Sequence, residues 1–304
     1  MIIPGKFDDE PGDDLLFYEN TYFMDLVVVQ PTNGTTTRTV TNSRVQCWVD
    51  DFNRAYATAG VRINSWRKVT ADDEYLYAGY CSMPACAAGD SDCYNYSTVK
   101  NQIDKWIADN VPNSMVLVLE NGGSSACSSS SVDFAWVGSS TRSDLANHEI
   151  GHYFHLPHAF NQTAHTALKR FFDCGTVDQA GAEEALGTAV TSLKSLDSDF
   201  APGGGWQPVY DTPGDPGPYF FAAAGLDRCT ASGQAATTVA RYANGDVRYR
   251  TNVDAHNVMT YYLKPGFPNC NPSYDTRCGR DMLTEDQARV VRWVIRKKRS
   301  NLLK

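Results

Sequence analysis

Residues 148–158 read His148-Glu149-Ile150-Gly151-His152-Tyr153-Phe154-His155-Leu156-Pro157-His158, and they hold four of the chain's six histidines. On a helix that advances about 100° per residue, His148 and His152 stack on one face, one turn apart. Two imidazoles so placed can close on one Zn²⁺ at about 2.0–2.1 Å. Glu149 cannot share that face as a ligand. It is placed instead to take a proton from a water in the metal's open position, which is the chemistry of hydrolysis.

A third ligand has two local candidates, His155 and His158. In a continued helix His155 would lie about 10 Å along the axis from His148, too far for three ring nitrogens to meet at one ion. The chain therefore has to leave the helix and turn back. Pro157 disfavours helical geometry at Leu156 before it. His158 is then the expected ligand, and His155 occupies the turn.

This spacing resembles the extended zinc motif of the metzincin metallopeptidases, His-Glu-x-x-His-x-x-Gly-x-x-His, with His155 at the family's glycine. Gly151 after the variable residue, and Leu156 two before the last histidine, look most like the pappalysin branch. Asn257-Val258-Met259-Thr260-Tyr261-Tyr262 is similar to the family's Met-turn. Leu283-Thr284-Glu285-Asp286-Gln287-Ala288-Arg289 resembles the start of the final pappalysin helix, and Asp211-Thr212-Pro213 a short element of the same branch. The resemblance implies a zinc metalloendopeptidase acting on protein or peptide substrates. It implies one catalytic Zn²⁺ on His148, His152 and His158, with Glu149 as general base. Met259 would lie under the metal as an apolar base, and Tyr261 would approach it to stabilise an oxyanion. Structural Ca²⁺ is also implied, with Asp211 and neighbouring acidic residues as compatible oxygen donors. The family glycine takes a left-handed conformation, and a histidine there costs about 1 kcal/mol or more.

These residues need a scaffold. Met24–Gln30, with Val27-Val28-Val29, reads as a buried strand. Val45–Ala59 has apolar residues at helical spacing and stops at Gly60. Val61–Trp66 is a second strand, Thr98–Asn110 a helix ending before Pro112, and Met115–Leu119 a third strand. A Ser/Gly/Cys loop, Asn121–Ser131, precedes a short strand, Asp133–Val137, the candidate edge for binding an extended substrate by strand addition. The zinc helix starts near Ser143, with Asp144 favourable in its first turn. The expected fold class is therefore α/β (α+β), a mixed twisted sheet with backing helices. The metzincin resemblance implies the same order, with the active-site helix above an irregular lower subdomain. The expected organisation is an irregular acidic arm over 1–20 and a single catalytic domain over 21–304. Its upper subdomain spans about 21–155 and its lower about 156–304. A long Gly- and Pro-rich insertion over about 161–255 contains one helix, Gln179–Leu193.

The chain has 304 residues, 42% hydrophobic and 20% charged, enough for a buried core without wholesale disorder. No apolar run approaches the about 20 residues that span a bilayer. A net charge of −8 argues against nucleic acid as a partner. The basic run Arg296-Lys297-Lys298-Arg299 reads as the solvated end of a helix, where cations complement the dipole. No signal peptide is visible at the N-terminus. Nine cysteines nonetheless form no Cys-x-x-Cys pair. Several, such as Cys81, Cys86, Cys93, Cys270 and Cys278, sit in loops that gain most from cross-linking, which points to a secreted, disulfide-bearing protein. Asn33-Gly34-Thr35, Asn95-Tyr96-Ser97 and Asn161-Gln162-Thr163 fit the glycosylation sequon, which has meaning only in a eukaryotic secretory route.

Other classes of function fit parts of the pattern. One is a gluzincin-type zinc hydrolase whose third ligand is Glu183 or Glu184, which leaves His158 without a role. Another is a zinc-binding or adhesion module of the same fold, catalytically impaired by His155. A third is an intracellular protein whose cysteines are free thiols.

Overall fold

A run as apolar as Val27-Val28-Val29 needs cover on both faces, and the fold supplies it. The computed structural model describes residues 21–78, 96–120, 126–128, 132–156, 158, 236–242, 245–251, 257–259 and 282–303. There the run is the middle of β1 (Tyr22–Thr32). β1 pairs in parallel with β2 (Val61–Asp72) on one side and β3 (Met115–Glu120) on the other. β3 pairs in parallel with β5 (Ala135–Gly138), and β5 pairs antiparallel with β4 (Ala126–Ser128). The strand order is thus β2-β1-β3-β5-β4. Parallel strands are roofed by their crossovers and read as continuous apolar runs; accordingly every residue of β3 is buried.

Helices cover the two faces. Val99, Ile103 and Ile107 of α3 (Tyr96–Asn110) pack at helical spacing with Val27, Val29, Val116, Val118 and Trp136. The short α2 (Glu74–Ala78) adds Leu76 to the same layer. The opposite face belongs to α1 (Asn42–Ala55) and α4 (Ser143–Tyr153), which lie against each other. α1 buries Val45, Trp48, Val49 and Phe52, an i, i+3, i+4, i+7 stripe. The chain thus has the mixed α/β architecture expected of it.

Boundaries differ from the sequence expectation for identifiable reasons. α1 starts three residues early because the Thr41 hydroxyl accepts the Arg44 N–H at 3.2 Å, an N-cap. It ends at Ala55; Ala57–Ala59 tighten into a 3-10 turn that Gly60 closes at φ 61°. The expected strand over 133–137 is β5, and it is no edge. All four of its residues are buried between β3 and β4. The outer strand on that side is β4, inside the stretch read as a Ser/Gly/Cys loop. Three residues are too few to show a period.

Two compact units divide the chain, one of residues 14–156 with 291–304, the other of 1–13 with 157–290. The first holds the sheet. In the second, β6 (Ala236–Tyr242) and β7 (Gly245–Thr251) form an antiparallel hairpin where only Gly- and Pro-rich chain was expected. The expected helix over 179–193 lies outside the described residues. α5 (Glu285–Lys298) begins in the second unit and ends in the first. In its last turn Lys297 and Lys298 are exposed as expected, but Arg299, just beyond it, is buried. No described helix is long and apolar enough to cross a membrane.

Candidate metal centre

α4 carries two of the histidines, and α1 fixes where it lies. Trp48 Nε1–H donates to the Thr141 carbonyl at 3.0 Å, and the Ser143 hydroxyl donates to Asp51. Tyr56 O–H donates to the Asn147 carbonyl at 2.8 Å. The Tyr56 ring stacks on Phe52 at 4.2 Å and meets Phe154 edge-on at 6.0 Å. Burial, with the charge of Glu149 adding, raises the Tyr56 phenol well above its ordinary value, so it remains a donor. Arg142 grips both carboxylate oxygens of Asp144 at 3.0 Å, holding a negative charge in the first turn of α4 where the dipole favours it.

His148 is fully buried, Glu149 is 6% exposed, and His152 is partly buried. The rings of His148 and His152 lie 4.8 Å apart at 85°, as their one-turn separation requires. His152 Nδ1 is 2.8 Å from the Leu156 carbonyl oxygen. A carbonyl only accepts, so Nδ1 carries the proton, and in the neutral ring Nε2 keeps the lone pair. That bond sets the tautomer a metal ligand needs.

The turn after Phe154 is the next element. His155 has φ 67°, the only non-glycine among the described residues with a positive value. Its N–H donates to His152 O at 2.8 Å, and the Leu156 N–H reaches Gly151 O at 2.9 Å. This pair of bonds is the Schellman closure of a helix, whose C′ residue must be left-handed. His155 thus stands where the sequence placed it, in the strained seat usually given to glycine. His158 follows, and the ligand nitrogens of His148, His152 and His158 all lie within 4.8 Å of one another. In a tetrahedral zinc site such nitrogens sit about 3.4 Å apart, so the rings need to draw in by little more than an ångström at most. Three neutral imidazoles are a donor set that suits zinc. His148, His152 and His158 can therefore hold one metal ion.

His155 also gives the turn a pH dependence. Burial, helped by the charges of Arg299 and Lys298 and opposed by Asp133, pushes its imidazole down to about 4. Unfolded, it takes up a proton near pH 6.5. Between those values the unfolded chain binds more protons, so this contribution destabilises the fold as pH falls from 6.5 towards 4. His155→Gly relieves the backbone strain and removes that titration. With metal stripped from both proteins, the variant is expected to match or exceed wild-type stability at pH 7 by up to about 1 kcal/mol. Its lead should widen at pH 5. Urea titrations at the two pH values check this, and an unchanged difference refutes it.

Asn257 and Met259 sit in a buried turn of the second unit. The Asn257 and Gln287 side chains exchange two hydrogen bonds, 2.9 and 3.1 Å. Asn257 Oδ1 also accepts the Met259 N–H at 2.9 Å. Gln287 Oε1 accepts the Thr284 N–H at 3.1 Å while the Thr284 hydroxyl accepts the Gln287 N–H at 3.3 Å. That is a capping box at the start of α5, and it ties two of the sequence motifs together. Tyr261, Asp211, Glu183 and Glu184 lie outside the described residues.

Two elements beside this centre were not anticipated from sequence. β4 is too short to signal itself, and Arg299 was read as part of a solvated basic end. No protein-family model and no curated protein matches the chain. Among solved structures, mature mirolysin of Tannerella forsythia in complex with a cleaved peptide is similar at 10% identity and a TM-score of 0.45, over 93% of this chain and 96% of that one. Function is therefore read from the chain's own residues.

Proposed function

We propose that the chain is a secreted zinc-dependent endopeptidase of the metzincin type, in its pappalysin-like branch. The observation that carries this is the convergence of His148, His152 and His158 beside a buried glutamate. His158 as third ligand favours this reading over Glu183 or Glu184. When bound, Zn²⁺ supplies a Lewis acid that polarises the scissile carbonyl and brings the pKa of a water towards about 7. Glu149 Oε takes the proton of the attacking water and delivers it to the leaving amide nitrogen. Its burial keeps competing solvent away and strengthens its hydrogen bonds to that water. An extended peptide can add to the outer strand β4, which lies against α4, using backbone hydrogen bonds common to all sequences. Cys47 and Cys127 each carry a disulfide, which supports an oxidising, extracellular setting. A structural Ca²⁺ near Asp211 remains part of this proposal on the resemblance alone.

Zinc counting paired with casein digestion tests the whole. About one zinc per chain and cleavage that stops with chelator and returns with Zn²⁺ are expected; zinc-independent cleavage, or zinc-loaded protein without any, sinks it. Tyr261 is proposed to stabilise the oxyanion, on the strength of its place two residues after Met259. Tyr261→Phe is expected to lower kcat about 10- to 100-fold with zinc content unchanged. A kcat within twofold of wild type would exclude that role.

A further inference from the structure

Arg299 was read from sequence as solvated, yet it is only 6% exposed. Its guanidinium spends every edge. Nε–H donates to the Tyr153 carbonyl at 3.1 Å, Nη2 to the Val132 carbonyl at 2.9 Å, and Nη1 to Asp133 Oδ1 at 2.6 Å. Its Cζ lies over the Tyr153 ring, 3.7 Å from the ring centre. The residue's own N–H is fixed to Val294 O at 3.0 Å at the end of α5. One side chain thus joins the C-terminal segment, the chain entering β5 and the last residue of α4. Tyr153 immediately follows His152 and opens the turn that His155 closes, and the Arg299 charge reaches His155 itself.

We infer that Arg299 is a positioning residue for the metal centre: by pinning the Tyr153 carbonyl and ring it fixes where α4 stops and the chain turns towards His158. The inference rests on the zinc reading above. A lysine keeps the charge but not the planar fork that meets three acceptors at once, so charge and geometry can be separated.

Arg292, on the same helix, is the internal control. It is also buried, donates to the Ala59 carbonyl at 3.0 Å and lies 4.2 Å over the Tyr22 ring, but touches neither α4 nor its turn in those contacts. Zinc affinity is measured by competition with a chromophoric chelator in the full chain, for wild type, Arg299→Lys, Arg299→Ala and Arg292→Lys. Thermal melts confirm that each is folded. Both Arg299 variants are expected to bind Zn²⁺ about tenfold or more weakly, with kcat per bound zinc lowered and KM little changed. Arg292→Lys, for a comparable fall in Tm, is expected to keep wild-type zinc affinity. Arg299→Lys serves alone if the alanine variant fails to fold. Wild-type zinc affinity in a folded Arg299 variant overturns the inference, and so does equal weakening in Arg292→Lys. Failure of the zinc reading is distinct, since it shows in the wild-type titration.

Discussion

Glu149→Gln is expected to leave about one zinc per chain in place while casein cleavage falls about 10²- to 10⁴-fold in kcat. Glutamine matches glutamate in size and can fill the same buried seat, so neither α4 nor the three histidines should move. What it cannot do is accept a proton from water. The loss should appear in kcat with KM little altered, because a group that acts only in the transition state contributes nothing to ground-state binding. Zinc analysis, melting and peptide kinetics on one preparation separate these effects. Activity within a few-fold of wild type would move the general base elsewhere and leave Glu149 as a merely buried acid.

His158→Ala is expected to strip the metal at zinc concentrations that saturate the wild type. The remaining pair, His148 and His152, forms a two-ligand site. Losing an outer hydrogen-bond partner of a ligand commonly costs about 10- to 100-fold in affinity, and losing a ligand should cost more. Glu183→Ala with Glu184→Ala should leave affinity unchanged. The opposite pattern would return the gluzincin-type alternative and remove His158 from the centre. Because His158 lies beyond the strained turn, its loss should leave the α4 bonds to α1 intact, and circular dichroism should show no loss of helix.

The histidine cluster was legible because it depends on short, local geometry. Helical spacing put His148 and His152 on one face, and Pro157 required the chain to leave the helix before His158. The structure adds the Schellman bonds and the positive φ of His155, which is what a histidine in a glycine's place implies. The buried parallel strands were legible for the same reason, since Val27-Val28-Val29 and Met115–Leu119 have no polar face to turn outward. Less was legible where partners are distant in sequence. β4 exists because β5 pairs with it, and no three-residue segment can announce that. Arg299 looks like its neighbours Lys297 and Lys298 until Val132, Asp133 and Tyr153 are brought to it across 146 to 167 residues. Thr41 and Gly60 show the intermediate case, where known cap signals were present but the α-helix gave way to a 3-10 turn between them.

The anchoring of α4 onto α1 through Trp48, Tyr56 and the Phe52–Phe154 aromatic group involves no metal ligand. In small zinc-dependent modules the ion is the core, and removing it unfolds the chain. Here the helix bearing His148 and His152, two of the proposed ligands, is preorganised by aromatic packing. On the proposed reading, an ion would meet two of its three ligands already held in place, and less of its binding free energy would go into ordering the polypeptide.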